Sequence, residues 1–180
     1  LPICLIHQSF NGDAETLMER LDHGTLDFSI LIEPVDLVKY EHLPLNETDE
    51  WGLLMQKDCS LASKEIIRPE DIQGVPLILP QRIGLQRELS AWAGIPMEQL
   101  NTIATFDILF NNPSLLIKNG LGYAFALRTL VDTSESPTLC FRPLEPAIKI
   151  QYGLAWKRYP IFSKAAEKFI EQIRELIDDQ

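Results

Sequence analysis

Cysteine is scarce in this sequence: only three copies occur among 180 residues, and they lie far apart. Cys4, Cys59 and Cys140 form no CxxC pair, and no histidine stands at metal-ligand spacing from them. This pattern indicates neither a disulfide framework nor a zinc site. Cys4 lies in an apolar run and Cys140 lies beside Phe141, so we expect small, buried, hydrophobic cysteines.

The sequence also lacks an excess of basic charge and any long apolar run. It carries 26 acidic against 16 basic residues, a formal net charge of -10, so a phosphate backbone would repel it. No apolar stretch reaches the roughly 20 residues that span a bilayer, and the N-terminus lacks a signal-peptide pattern. We therefore expect a globular, cytoplasmic protein that itself contacts neither nucleic acid nor membrane.

Recognisable catalytic motifs are absent as well. Nucleophile elbows, P-loops, HExxH helices and kinase signatures do not occur in the sequence. The segment from Gly120 to Gly122 begins like a dinucleotide fingerprint, but Phe125 stands where a third Gly or Ala is required. The three histidines, His7, His23 and His42, are isolated. We expect no enzymatic activity, no cofactor and no metal site.

What the sequence does contain is a regular alternation of strand-like and helix-like segments. The predicted strands are 1–6, 26–32, 51–55, 75–79, 103–106, 122–127 and 148–156, and the predicted helices are 13–23, a short one from Pro69, 86–93, 114–119 and a last one capped by Ser163. Residues 35–50, with Pro44 and Asn46, are interpreted as a connection, with a lobe boundary near Glu50. The order favours an α/β fold with parallel or mixed sheets covered by helices on both faces.

Loops at the carboxyl ends of strands are the expected ligand-binding positions in such sheets. Three loops qualify: residues 9–12, 80–84 and 125–127. Arg82 follows a strand that ends at Pro80, and Gln81 precedes it, so these groups could hydrogen-bond an anionic or polar ligand. A solvated loop arginine is the alternative interpretation.

Several segments, in order, resemble the effector-binding domain of LysR-type transcriptional regulators. They are residues 15–30 with the passage Gly24-Thr25-Leu26-Asp27, residues 61–62 with 69–72 and 76–78, residues 116–124, and residues 154–157 before an amphipathic last helix. The resemblance implies two Rossmann-like α/β lobes with a ligand cleft, similar to a type 2 periplasmic binding protein. Lobe one would comprise residues 1–50 plus 158–180, and lobe two residues 51–157.

The resemblance also implies a set of effector-contacting positions. They map onto Ser9, Phe10, Asn11, Pro80, Gln81, Arg82, Phe125 and Ala126. These residues fall in the same three loops that the sheet rule selects. Compared with the family pattern, we expect the winged helix-turn-helix, and the first strand and helix of lobe one, to be missing before Leu1, and we expect DNA contact only through that absent head.

The predicted function is therefore a sensor domain that binds a small, anionic or polar metabolite, with a homo-oligomer formed through lobe one. The alternative is a stand-alone solute-binding protein of a transporter, which has the same architecture. The missing signal peptide argues against that alternative. Two-lobed enzymes of ammonia-releasing or transfer chemistry form a third class, which no acid, base or nucleophile cluster supports.

Overall fold

The computed structural model describes residues 12, 14–32, 38–107, 112–134, 136–158 and 160–178. Within these ranges the strands are β1 (Ser29–Ile32), β2 (Tyr40–Gln56), β3 (Leu77–Pro80), β4 (Thr102–Phe106), β5 (Tyr123–Leu127), β6 (Leu139–Pro143) and β7 (Lys149–Lys157). The helices are α1 (Ala14–Asp22), α2 (Ile83–Ala93), α3 (Asn112–Lys118) and α4 (Lys164–Asp178). The predicted strand at residues 1–6 lies outside the described residues. The α/β class is confirmed.

Contacts divide the chain into two compact units. Unit 1 is Leu1–Thr48 with Gln151–Gln180, and unit 2 is Asp49–Ile150. Two long strands, β2 and β7, pass from one unit into the other. The first passage falls beside the expected boundary at Glu50, and the second falls inside β7 rather than after its end.

In unit 1, β1 pairs with β7 in antiparallel orientation, with Ile30 opposite Leu154. The core beside these strands is aromatic. The Phe28 ring centroid lies 6.3 Å from that of Trp156, 5.0 Å from that of Phe162 and 5.1 Å from that of Phe169. Helix α4 adds the apolar stripe that the sequence predicts.

In unit 2, β3 runs parallel to both β4 and β5, whereas β2 pairs antiparallel with β5 and β6. The buried core combines aliphatic and aromatic side chains from these strands and α3, including Leu54, Ile78, Phe106, Ile117, Leu139 and Phe141. Cys140 is buried, as predicted, and Cys59 is half-buried. This mixed sheet agrees with the sheet type expected from the sequence.

The Gly120 to Gly122 motif has a packing role in this sheet. Gly122 has a φ of +107°, and a Cβ atom there would lie 2.5 Å from the carbonyl oxygen of Pro76. The Tyr123 N–H donates a hydrogen bond to that same oxygen at 2.9 Å. The glycine therefore lets the chain approach the segment before β3 closely enough for the two strands to pair.

The interpretation of residues 35–50 as a connection is wrong from Tyr40 onward, because β2 already begins there. Pro44 and Asn46 lie on its exposed face, where a proline and a polar amide are tolerated. Leu43 and Leu45 point the other way and pack on the aromatic core of unit 1. Period-two alternation was present in this segment, but the turn-forming residues obscured it.

Two further elements differ from the prediction. Strand β6 was not predicted; it pairs with β2, with Cys140 opposite Met55. The short helix expected at Pro69 is a 3-10 turn over Pro69–Ile72, in which the Asp71 carboxylate accepts the Arg68 N–H at 2.9 Å. Among the described helices, none combines the length and apolar character that a bilayer crossing requires.

Candidate functional site

The parallel strands of unit 2 bring two of the three predicted loops to one edge of the sheet. Ile78 of β3 is opposite Ala124 of β5, so the two strands end side by side, at Pro80 and just beyond Ala126. The Gln81 N–H donates to the carbonyl oxygen of Phe106 at 2.7 Å, so β4 ends at the same edge. This carboxyl edge is where open α/β sheets bind ligands.

Arg82 lies at this edge as the N-cap residue of α2. Its backbone is extended, with a φ of -61° and a ψ of 116°, its side chain makes no capping hydrogen bond, and the first helical turn contains no acidic residue. The amide of Gln86 donates to the carbonyl oxygens of Pro80 at 2.8 Å and Gln81 at 3.3 Å, which fixes the loop against the helix. The first turn of α2, at the positive end of the helix dipole, therefore contains no carboxylate. This arrangement favours the binding of an anion.

Phe125 and Ala126 lie in β5, and their side chains are almost completely buried, with 0% and 1% exposed. The Phe125 ring packs edge-on against Trp92 of α2, with centroids 6.1 Å apart. Phe125 therefore links β5 to the helix that starts at Arg82. Effector contact through these two residues stays a prediction.

The third predicted loop, with Ser9, Phe10 and Asn11, lies outside the described residues. Of the eight predicted contact residues, the structure therefore describes Pro80, Gln81 and Arg82 on one loop and Phe125 and Ala126 on another. Pro80 is buried, Gln81 is exposed and Arg82 is half-buried. Gln81 and Arg82 are consequently the two members of this set whose polar side chains are at least partly accessible.

The sequence does not predict one buried carboxylate, which lies beside the end of β5. Asp49 is 5% exposed and accepts hydrogen bonds from the backbone N–H of Thr129, at 3.2 and 3.3 Å to its two oxygens, and from the Thr129 hydroxyl. It also accepts the Glu50 N–H at 2.7 Å. Asp49 shares a strand face with the buried Trp51 and Leu53, and that alternation was the available signal.

An ion pair lies next to this carboxylate. The Arg128 guanidinium contacts the Glu50 carboxylate, with Nη2 to Oε1 at 2.6 Å and Nε to Oε1 at 2.6 Å. The same guanidinium carbon lies 5.1 Å from the centroid of the Phe141 ring. Together with Asp49 and Thr129, these contacts attach the turn after β5 to the first residues of unit 2.

No group of three or more His, Cys, Asp and Glu side chains in the described part of the chain is arranged to hold a metal ion. While the Asp49 and Glu50 carboxylates beside the end of β5 are bound by Thr129 and Arg128, the polar groups of the loop between β3 and α2 are a guanidinium, an amide and backbone N–H groups. Such groups bind and orient an anionic or polar ligand.

Comparison with known protein families also indicates a ligand-binding domain. The model of the LysR substrate binding domain matches residues 8–178. None of the curated proteins is similar enough in sequence to count as a relative.

Three solved structures illustrate the likeness in fold. The effector binding domain of QuiR, in complex with shikimate, is 17% identical with a TM-score of 0.78, and the alignment covers 95% of this chain and 81% of that one. The CcmR regulatory domain from Synechocystis PCC6803, in complex with 2-PG, is 17% identical with a TM-score of 0.70, covering 92% and 80%. HinK, a LysR family transcriptional regulator from Pseudomonas aeruginosa, is 18% identical with a TM-score of 0.73, covering 92% of this chain but 58% of HinK.

At these sequence identities, the three solved structures show only that the fold is shared. The family is shown by the family model, because its match spans nearly the whole chain. The two α/β units fit the periplasmic-binding-protein-like fold of that family. The chain belongs to the LysR substrate binding domain family.

Proposed function

We propose that the chain is the effector-sensing domain of a LysR-type bacterial transcription regulator and that a small metabolite binds at the carboxyl edge of β3 and β5. One observation carries the proposal for the site. Half-buried Arg82 and exposed Gln81 stand at the start of α2, where no acidic residue occupies the first turn. A ligand carboxylate or phosphate would gain both the guanidinium and the helix N-terminus.

The proposed ligand is a small anionic or polar metabolite. Shikimate and 2-PG, the molecules bound in the structures of QuiR and CcmR, support a small-molecule effector. The cationic side chain at position 82 and the uncharged first turn of α2 support a negative charge on the ligand. Binding would favour one conformation of the regulator over another, which requires different affinities for the two.

The family assignment supports a regulator over a transporter's solute-binding protein. LysR-type sensor domains are generally not enzymes, and we extend that to this chain. We further propose that the regulator is cytoplasmic, contacts DNA through a separate head and forms a homo-oligomer through unit 1. The net charge of -10 fits a domain that leaves contact with DNA phosphates to another part of the protein.

Thermal unfolding with a library of small organic acids and phosphates, including shikimate and 2-PG, tests the site. We expect at least one compound to raise the melting temperature, since a ligand that binds only the folded state stabilises it. Arg82→Ala should abolish this shift without lowering the melting temperature of the ligand-free chain. Arg87→Ala, which removes an exposed arginine from the same helix, should leave the shift unchanged.

Two results would overturn the site assignment. One is that every compound that stabilises the wild type stabilises Arg82→Ala equally. The other is a ligand whose effect is lost equally in Arg82→Ala and Arg87→Ala, since that would indicate a general response to charge on α2.

A further inference from the structure

Unit 2 contains a cavity of about 400 Å³ that shares no residue with the predicted effector loops. Its lining residues are Lys57, Ala62, Thr133, Leu139, Cys140, Phe141 and Arg142. Because β2 runs antiparallel to β5, Lys57 follows β2 at the edge of the sheet where β5 begins. Lys57 is therefore at the edge opposite to the one that carries Gln81 and Arg82.

Arg142 is the most informative residue of this cavity. Its guanidinium donates to three backbone carbonyl oxygens: Nε to Lys64 at 2.5 Å, Nη2 to Ala62 at 2.8 Å and Nη1 to Phe141 at 3.1 Å. Arginine has five N–H donors, so two remain for another acceptor. The guanidinium is thus held in place by the backbone, with donors left over.

The contacts that Arg142 makes are to neutral backbone carbonyl oxygens, which do not balance its positive charge. The residue is half-buried, yet it forms no ion pair with any carboxylate in the described part of the chain. A guanidinium with unused N–H donors at the wall of a cavity can bind an anion there through charge-assisted hydrogen bonds. An anion in the cavity would supply the missing partner.

Lys57 supplies a second positive charge. Its ammonium group donates to the carbonyl oxygen of Ser136 at 2.6 Å, which uses one of its three N–H donors. Among the described residues that line the cavity, none is acidic. Burial raises the pKa of the Cys140 thiol, so this group stays neutral near pH 7 and adds no negative charge. The nearby Asp132 carboxylate accepts hydrogen bonds from the hydroxyl and the N–H of Ser134 at 2.6 and 3.0 Å.

Apart from Thr133, the remaining lining is apolar. Leu139 is 1% exposed and belongs to the core, whereas Ala62 and Phe141, at 8% and 9% exposed, keep some accessible surface. A volume of about 400 Å³ is at the lower end of the range for small-molecule sites, which suits a ligand with one ring or a short chain.

We propose that this cavity is a second binding site, separate from the effector loops, for a small organic carboxylate with an apolar body. The carboxylate would accept hydrogen bonds from Arg142 and Lys57. The apolar body would pack on the accessible surface of Phe141 and Ala62. Such a site would give the regulator a second chemical input.

Phenylacetate and phenylacetamide form a matched pair of probes, because they have nearly the same shape and differ in charge. In 1H–15N NMR titrations of the 180-residue chain, phenylacetate should shift the amide signals of Thr133, Cys140 and Arg142 with a Kd of about 1 mM. Phenylacetamide should bind at least about tenfold more weakly, because it cannot pair with the two cations. Sulfate, an anion with no apolar body, should also bind more weakly than phenylacetate.

Charge-removing variants identify the groups responsible. Lys57→Gln should weaken phenylacetate binding by roughly threefold to tenfold, because an accessible ion pair contributes modestly. Arg142→Gln should abolish measurable binding, with circular dichroism and the melting temperature used to verify that it folds. Lys149→Gln, which changes an exposed lysine outside the cavity, and Arg82→Ala should leave binding unchanged.

Several outcomes would overturn the second site. They are equal binding of the acid and the amide, an absence of shifts at concentrations well above 1 mM, shifts confined to Gln81 and its neighbours, and unaltered binding by a folded Lys57→Gln or Arg142→Gln chain. The Arg82→Ala result separates this proposal from the effector site, since only the latter depends on Arg82.

Discussion

The two units bury their side chains in different ways. In unit 1, aromatic rings from several segments meet around Phe28, beside the antiparallel pair formed by β1 and β7. In unit 2, side chains of the strands and of α3 form the core around the parallel strands, and Leu54, Ile78 and Ile117 are fully buried. Phe28 itself is only half-buried, whereas Phe125 of unit 2 is completely buried.

This difference explains why the candidate binding features that the structure describes lie in unit 2. Parallel strands end together, so the loops after β3 and β5 meet at one edge, and a helix starts there. The antiparallel strands β1 and β7 of unit 1 end at opposite edges, so they do not gather loops in this way. In the described part of the chain, the parallel strand ends of unit 2 therefore bring polar groups together.

The largest expected effect tests the difference in burial. Phe125→Ala should lower the free energy of unfolding by about 4 kcal/mol, because it leaves a cavity beneath Trp92. Phe28→Ala should cost only about 2 kcal/mol, because the ring is partly solvated before the change. Chemical denaturation of both variants measures the two values. Equal costs would show that the aromatic core of unit 1 contributes as much as the closed core of unit 2.

A second change tests the buried carboxylate at the start of unit 2. Asp49→Ala should cost about 3 kcal/mol, because the Thr129 hydroxyl and two backbone N–H groups lose their acceptor. Thr129→Val removes only the hydroxyl and should cost about 1 kcal/mol. The control is Glu47→Ala, an exposed acid on the same strand in unit 1, which should cost almost nothing. A cost below that of Thr129→Val would contradict the role given to Asp49.

The pH dependence of stability gives a third test, in unit 1. Burial and the neighbouring Asp22 carboxylate raise the pKa of Tyr40 from 10.0 to about 12. The unfolded chain therefore ionises first, so this contribution is complete below pH 10 and is lost as the pH rises to about 12. Across that window the wild type should lose about 2 kcal/mol relative to Tyr40→Phe.

Denaturant unfolding of the wild type and Tyr40→Phe at pH 9, 10, 11 and about 12 would show this loss. Every other titratable group is present in both proteins, so the difference between the two isolates Tyr40. A constant difference across the range would indicate that the phenol ionises in the folded state as easily as in the unfolded one.

How far the sequence predicts this molecule depends on how local each feature is. The loop carrying Gln81 and Arg82 could be placed from a strand, a proline and a following helix, all within a few residues. The contact between Asp49 and Thr129 joins residues 80 positions apart, and one sequence does not show which distant residues meet. The cavity at Arg142 could not be predicted for the same reason, because the residues that line it come from separated segments of the chain.

Local signals also failed where two of them competed. Leu43 and Leu45 alternate as strand residues do, whereas Pro44 and Asn46 are typical of turns. The first pattern predicts a strand and the second predicts a connection. The folded chain forms the strand, because Pro44 and Asn46 are tolerated on its exposed face. Strand β6 escaped because its five residues include Arg142 and Pro143.

The smallest expected effect concerns a feature of unit 1 that the sequence predicts locally. The Ser163 hydroxyl accepts the Ala166 N–H at 3.2 Å, as expected for the N-cap of α4. Ser163→Ala should lower the free energy of unfolding by about 1 kcal/mol, whereas Ser163→Asp should preserve it, because aspartate caps equally well. Denaturant midpoints of the three proteins measure the effect. A loss in both variants would mean that Ser163 stabilises unit 1 through something other than capping, since Ser163→Asp retains the acceptor oxygen.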